Sequence, residues 1–196
     1  MARKIEFDRD EVLDKAMNLF WAKGYEATSL TELEQGLGIN KFSIYNTFGN
    51  KRALYLASLA RYEEQMFSQL LTTLAGDVDG LAAIERSLDF LEQTMQQYSQ
   101  QNGCFMLNAG TELSNVDSDV SHYVQSMNRK LEDAFYQALS VAQQRNEISA
   151  TLNLQEFARF MLTLYQGMVT VAKVEQDVRT SISSIRFVKQ LLHQKN

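Results

Sequence analysis

The chain has no proline and a single cysteine in 196 residues. Proline supplies about 5% of an average chain, so roughly ten residues are missing, and with them the commonest interruption of a helix. An all-α fold follows, with nine glycines left as its main punctuation. One cysteine, Cys104, permits neither an intramolecular disulfide nor a CxxC metal knuckle. Histidine is equally scarce: His122 and His193 lie far apart and outside any HExxH-type spacing, so no metal site is expected. No apolar run reaches 18 residues and the stretch Met1 to Asp10 is charged, which argues against a membrane span or secretory leader and for a cytoplasmic protein. Lacking a Gly-rich phosphate loop or any nucleophile–base spacing, the chain does not read as an enzyme and implies no cofactor.

What is present is a hydrophobic content of 45%, enough for a buried core, and a net charge of −5 that is unevenly spread. Residues 1–55 carry eight Lys/Arg and eight Asp/Glu, so the acidity belongs to 56–196. Between 38 and 52 stand Lys41, Lys51 and Arg52 with no acid, a local basic stretch on an acidic protein.

Helix signals run the length of the chain. Asp8 with Glu11 opens a first helix carrying Val12, Leu13, Ala16, Leu19 and Phe20 at helical spacing, ended by Lys23-Gly24. Ser29 with Glu32 forms a capping box for a short second helix, interrupted by Gly36 and Gly38. Asn40 caps a third over Lys41 to Thr47, and Asn50 a long fourth from Lys51 to about Leu74. Beyond Gly76 and Gly80, helices are expected at about 81–100, after Gly103-Cys104, at about 119–145, at 154–177 with Asn153 as cap, and at 181–193. The expected architecture is about nine helices: a three-helix N-terminal unit, 1–55, followed by a larger helical unit, 56–196.

Two short helices joined by Gly38-Ile39-Asn40 have helix-turn-helix proportions. Ile39, Ile44 and Phe48 would pack inward, leaving Asn40, Lys41, Phe42, Ser43, Asn46 and Thr47 outward. By spacing alone this is equally a plain surface helix. The run Gly24-Tyr25 through Thr28-Ser29, then Gly38, Tyr45, Phe48, Lys51 and Leu54, resembles the DNA-binding domain of the TetR family of transcriptional regulators over about residues 8–55. The resemblance implies a homodimer on a palindromic double-stranded DNA operator, with Thr28, Tyr45 and Lys51 at phosphate-contacting positions and Lys41, Phe42, Ser43 and Asn46 on the base-reading face, beside Asn40. Lys41 suits guanine and Asn46 adenine, whereas Phe42 fits either a thymine methyl or burial against the first helix. It further implies a repressor released by a small molecule.

In the larger unit, Tyr62, Met66, Phe90, Met106, Tyr123, Met127 and Tyr165 suit both an ordinary core and a pocket for a small apolar or aromatic effector. Cys104, at an expected helix start, is either a small buried hydrophobe or the thiol of a redox- or electrophile-responsive regulator, with Lys173 the nearest candidate cation. The 157–174 helix has one narrow polar stripe, Arg159, Thr163, Gln166, Thr170 and Lys173, so most of its girth must be buried. The expected dimer interface takes Leu164, Met168 and Val171 from it and Ile182, Ile185 and Leu192 from the last helix.

Overall fold

A computed structural model describes residues 7–75, 79–98 and 102–193, and it contains helices and no strand among those residues. The expected break at Gly76 and the last residues of the 81–100 helix lie outside the described residues. The order is α1 (Arg9–Lys23), α2 (Leu30–Leu37), α3 (Lys41–Phe48), α4 (Lys51–Tyr62), α5 (Ser68–Leu74), α6 (Gly80–Tyr98), α7 (Phe105–Leu113), α8 (Ser118–Gln144), α9 (Leu154–Glu175) and α10 (Arg179–Leu192). A π-helical turn, Glu63–Phe67, fuses α4 and α5 into one rod. The described helices therefore make nine rods.

Local chemistry sets these boundaries. The side chains of Asp8, Ser29, Asn40, Asn50 and Asn153 each accept a backbone N–H of the first turn they precede, which satisfies donors the helix cannot. At Ser29 the box is reciprocal, because Glu32 accepts the Ser29 N–H in return. Lys23 holds the same carboxylate, and the two together bring Glu32 down to about 2. Gly36 does not interrupt α2 as expected. It is helical, and its missing side chain lets α1 approach, since a Cβ there would come within 3.3 Å of Leu19. Gly38, at φ +70°, is the residue that ends the helix.

α1 packs along α4, while α2 and α3 close the head of the molecule around Phe20, Leu33, Leu37 and Ile44. Behind it α6, α8 and α9 pack side by side, with α7 against α8 and α10 against α9 and α6. One continuous hydrophobic core runs through both parts, from Val12 to Leu192. The aromatic chain Phe20, Tyr55, Phe105 and Tyr62 crosses the junction in edge-to-face contacts 5.1 to 5.8 Å apart.

Candidate nucleic-acid interface and inner cavity

α2 and α3 stand at the end of the head, joined by the αL turn at Gly38. Ile44 is fully buried and Ile39 packs partly against the same core, and these anchors fix which side of α3 faces out. Lys41, Phe42 and Asn46 are exposed, and Ser43, Tyr45 and Thr47 are half-buried. Phe42 is 74% exposed, so the burial alternative for this ring does not hold. A phenyl ring left in water forfeits about 1.5–3 kcal/mol of burial energy, an unfavourable arrangement unless something else covers it. Lys41 lies over the Tyr45 ring at 5.5 Å and Lys51 over Tyr25 at 4.3 Å, cations steadied on rings rather than neutralised by acids.

One expected contact is corrected, and two neighbouring polar groups are found engaged within the protein. Thr28 is completely buried and its hydroxyl donates to the Gly24 carbonyl at 2.6 Å, so it closes the α1–α2 turn and its side chain is not open to a phosphate. The exposed hydroxyl at this helix start belongs to Ser29. The Asn40 side-chain oxygen is spent on the Ser43 N–H at 2.9 Å, as cap of α3. Arg52, one of the three cations of the basic stretch, turns away to bind Asp117 through two nitrogens, at 2.6 and 2.8 Å, and Asp119 at 2.6 Å. Sequence reading also passed over Arg9, an exposed cation lying 5.3 Å from the Phe48 ring, because it lies outside the basic stretch of 38–52.

A cavity of about 60 Å³ lies between the π-turn rod, α6, the start of α7, α8 and α9. Tyr62, Met66, Phe90, Cys104, Met106, Met127 and Tyr165 line it, seven of the eight residues expected at an effector pocket. Tyr123 does not line it. Its hydroxyl donates to Glu63, which also pairs with Lys130 at 2.7 Å, so that tyrosine secures α8 to the π turn. The lining residues sequence reading passed over, Thr94, Asn128 and Gln166 among them, carried no signal because ordinary helix surfaces hold the same types. Cys104 precedes α7 and makes no capping bond, and its Sγ accepts the Tyr62 hydroxyl at 3.6 Å. Burial drives the Tyr62 and Tyr165 phenols well above their ordinary pKa, so both remain protonated donors. Lys173 reaches this corner, with its ammonium on Asn108 Oδ1 at 2.8 Å and its stem against Gly103.

The polar stripe expected along α9 is divided between two sides. Gln166 and Lys173 bond inward, to Asn128 and Asn108, while Thr163 and Thr170 are exposed. The expected interface is corrected with it: Met168, Ile185 and Leu192 are buried in their own protomer, at 4%, 0% and 7% exposure, and have no surface to offer a partner. Leu164, Val171 and Ile182 are half-buried. The apolar residues that do stand out are Phe160 and Val174 on α9 and Phe187 and Leu191 on α10.

Cavity and head are joined by more than the covalent rod. Trp21 of α1 donates its indole N–H to the Gly103 carbonyl at 3.0 Å, and Gly103 lines the cavity. Glu112 at the end of α7 accepts the backbone N–H groups of Tyr25 and Glu26 at 3.0 and 2.8 Å, packed so closely that a side chain at Gly24 would collide with it. Asp117, the cap of α8, receives the Arg52 fork, and these bonds bring its carboxyl down to about 2.

A two-helix reading head with an uncharged turn, exposed polar and basic side chains on its second helix, and a helical body behind it define a helix-turn-helix DNA-binding transcriptional regulator. Residues 12–58 match the family model for bacterial regulatory proteins of the tetR family, and residues 80–188 match that of the tetracyclin repressor-like C-terminal domain. The chain is 34% identical to the transcriptional repressor ComR of Escherichia coli K12 over 175 residues, 85% of this chain and 80% of that protein. It is 29% identical to the regulator YezE of Bacillus subtilis, over 91% of this chain and 92% of YezE. Among solved structures it superposes on the regulator CifR bound to a 26-bp operator duplex, with TM-score 0.83, 23% identity, and 96% and 98% of the two chains covered. It also superposes on reduced NemR of E. coli, with TM-score 0.75, 23% identity and coverage of 93% and 96%. The chain belongs to the TetR family of transcriptional regulators.

Proposed function

We propose that this regulator is a cytoplasmic homodimeric repressor that binds a palindromic operator through residues 1–55 and leaves it when residues 56–196 take up a small molecule. The observation that carries the operator reading is α3, held from behind by Ile44 and presenting Lys41, Phe42 and Asn46 to solvent. One such helix reads only a few base pairs, so a two-fold pair is required for affinity. The apolar face of Phe160, Val174, Phe187 and Leu191 suits that pairing, and a groove of about 580 Å³ lined by Phe160, Leu191 and Leu152 continues it. A repressive role accords with the name of ComR. Selection of bound fragments from a random DNA pool tests the reading. It should return a palindrome, bound with an affinity that falls steeply and linearly in log salt. Recovery of unrelated fragments with no shared half-site would refute it.

A second reading, response to oxidants or electrophiles through Cys104, is favoured by one observation: the half-buried thiol lines the cavity beside Tyr62. Either trigger would act through the same three ties between cavity and head. Alkylation of Cys104 that releases the selected operator, with Cys104→Ser still binding it and no longer released, supports this second trigger.

A further inference from the structure

None of the described residues lining the inner cavity is Asp, Glu, Lys, Arg or His. A ligand bringing a formal charge would lose its hydration and meet no counter-ion, at a penalty of several kcal/mol. The polar side chains are few, and four of the six are committed to one another, the half-buried Thr94 being one of the two that are not. The Tyr62 hydroxyl donates to Cys104 Sγ, and the Gln166 amide donates to Asn128 Oδ1 at 2.9 Å. Among the described residues the Tyr165 hydroxyl has no hydrogen-bond partner, although burial keeps it protonated. It is a donor without an acceptor, on the wall of a cavity otherwise dominated by thioether and aromatic side chains.

From this we infer that the cavity selects an uncharged apolar ligand carrying one hydrogen-bond acceptor without a proton, such as a ketone or ester carbonyl, and that the Tyr165 hydroxyl donates to it. The inference rests on the effector reading above and assigns that effector's chemical class. Within the cavity the ligand's acceptor pairs a donor that no protein group satisfies, so the acceptor supplies selectivity while the apolar body supplies affinity. Size sets a further limit. A rigid cavity of roughly 150 Å³ holds one benzene ring, and this one is about 60 Å³. A ring therefore enters only as the unbranched side chains of Met66, Met106 and Met127 move aside, which thioethers do at small cost.

Titration calorimetry on the full-length protein with three molecules of one shape tests the assignment: acetophenone, its hydrocarbon counterpart α-methylstyrene, and the benzoate anion. Acetophenone should bind about tenfold more tightly than α-methylstyrene, the worth of one neutral hydrogen bond. Benzoate should bind on the order of a hundredfold more weakly than acetophenone. In Tyr165→Phe the preference for the ketone should vanish while α-methylstyrene binds as before, which also shows that the variant is folded around an intact cavity. Benzoate binding as tightly as the ketone, a ketone preference that survives Tyr165→Phe, equal loss of all ligands in that variant, or no binding of any of the three overturns the inference. Operator binding, measured on the same preparation without ligand, separates the two levels. A protein that binds its operator and takes none of these molecules refutes the ligand class and leaves the DNA reading intact, whereas one that binds the ketone and no palindrome does the reverse.

Discussion

At the scale of single residues, the head separates groups that hold it in position from groups that read. Lys51 rests on Tyr25 and forms no ion pair with an acid among the described residues, so its charge stays available to a phosphate. Lys51→Ala should weaken all DNA sequences alike and lower the slope of log affinity against log salt by about 1, as measured by fluorescence anisotropy across a salt series. Asn46→Ala should instead relax the choice of base at one symmetric pair of operator positions by about 1–3 kcal/mol. Equal effects of both substitutions on every sequence would show that α3 does not enter the groove. Thr28 shows why such roles are only partly legible in sequence. A threonine before a capping serine suits an exposed phosphate contact and a turn-closing bond equally, and only the inward direction of its hydroxyl decides between them.

At the scale of elements, five caps were readable because a cap is a local event: the Asp, Ser or Asn and the N–H it accepts lie within three residues. The long-range ties between head and body were not readable, since Arg52 meets Asp117 across 65 positions and Trp21 meets Gly103 across 82. The π turn escaped notice for another reason: Glu63–Phe67 has the composition of an ordinary helix, and its extra residue appears only when the rod is packed. The Arg52–Asp117 tie has a measurable signature. Asp117 is held near 2 in the folded protein, against about 3.9 in an unfolded chain. A carboxylate with a depressed folded pKa stabilises the fold above its unfolded value, and that contribution is lost as pH falls from about 4 toward 2. In thermal melts across this window, Asp117→Asn should therefore start less stable at neutral pH and lose less on acidification than the parent. Parallel acid limbs for the two proteins would remove Arg52–Asp117 from the list of working ties.

At the scale of the whole molecule, the last two helices carry two apolar faces, and sequence periodicity cannot say which one belongs to the protomer. Ile185 and Phe187 are two positions apart on α10, yet one is fully buried and the other 59% exposed. Phe187→Glu should yield a folded monomer with reduced operator affinity, whereas Ile185→Glu, which places a charge in the core, should lose helical content as well. Sedimentation velocity with circular dichroism separates the outcomes, and an unaltered dimer from Phe187→Glu would move the interface off α10.

The bond between Trp21 and Gly103 also has an optical consequence. Trp21 is the chain's only tryptophan, 7% exposed, with its indole N–H on a carbonyl of the cavity wall and its ring 5.1 Å from Tyr62. All indole emission of the unlabelled protein therefore originates at the seam between cavity and DNA head. Were that seam to part, water would reach the ring and move the emission to the red, so the contact can be followed in the native protein in solution without a dye.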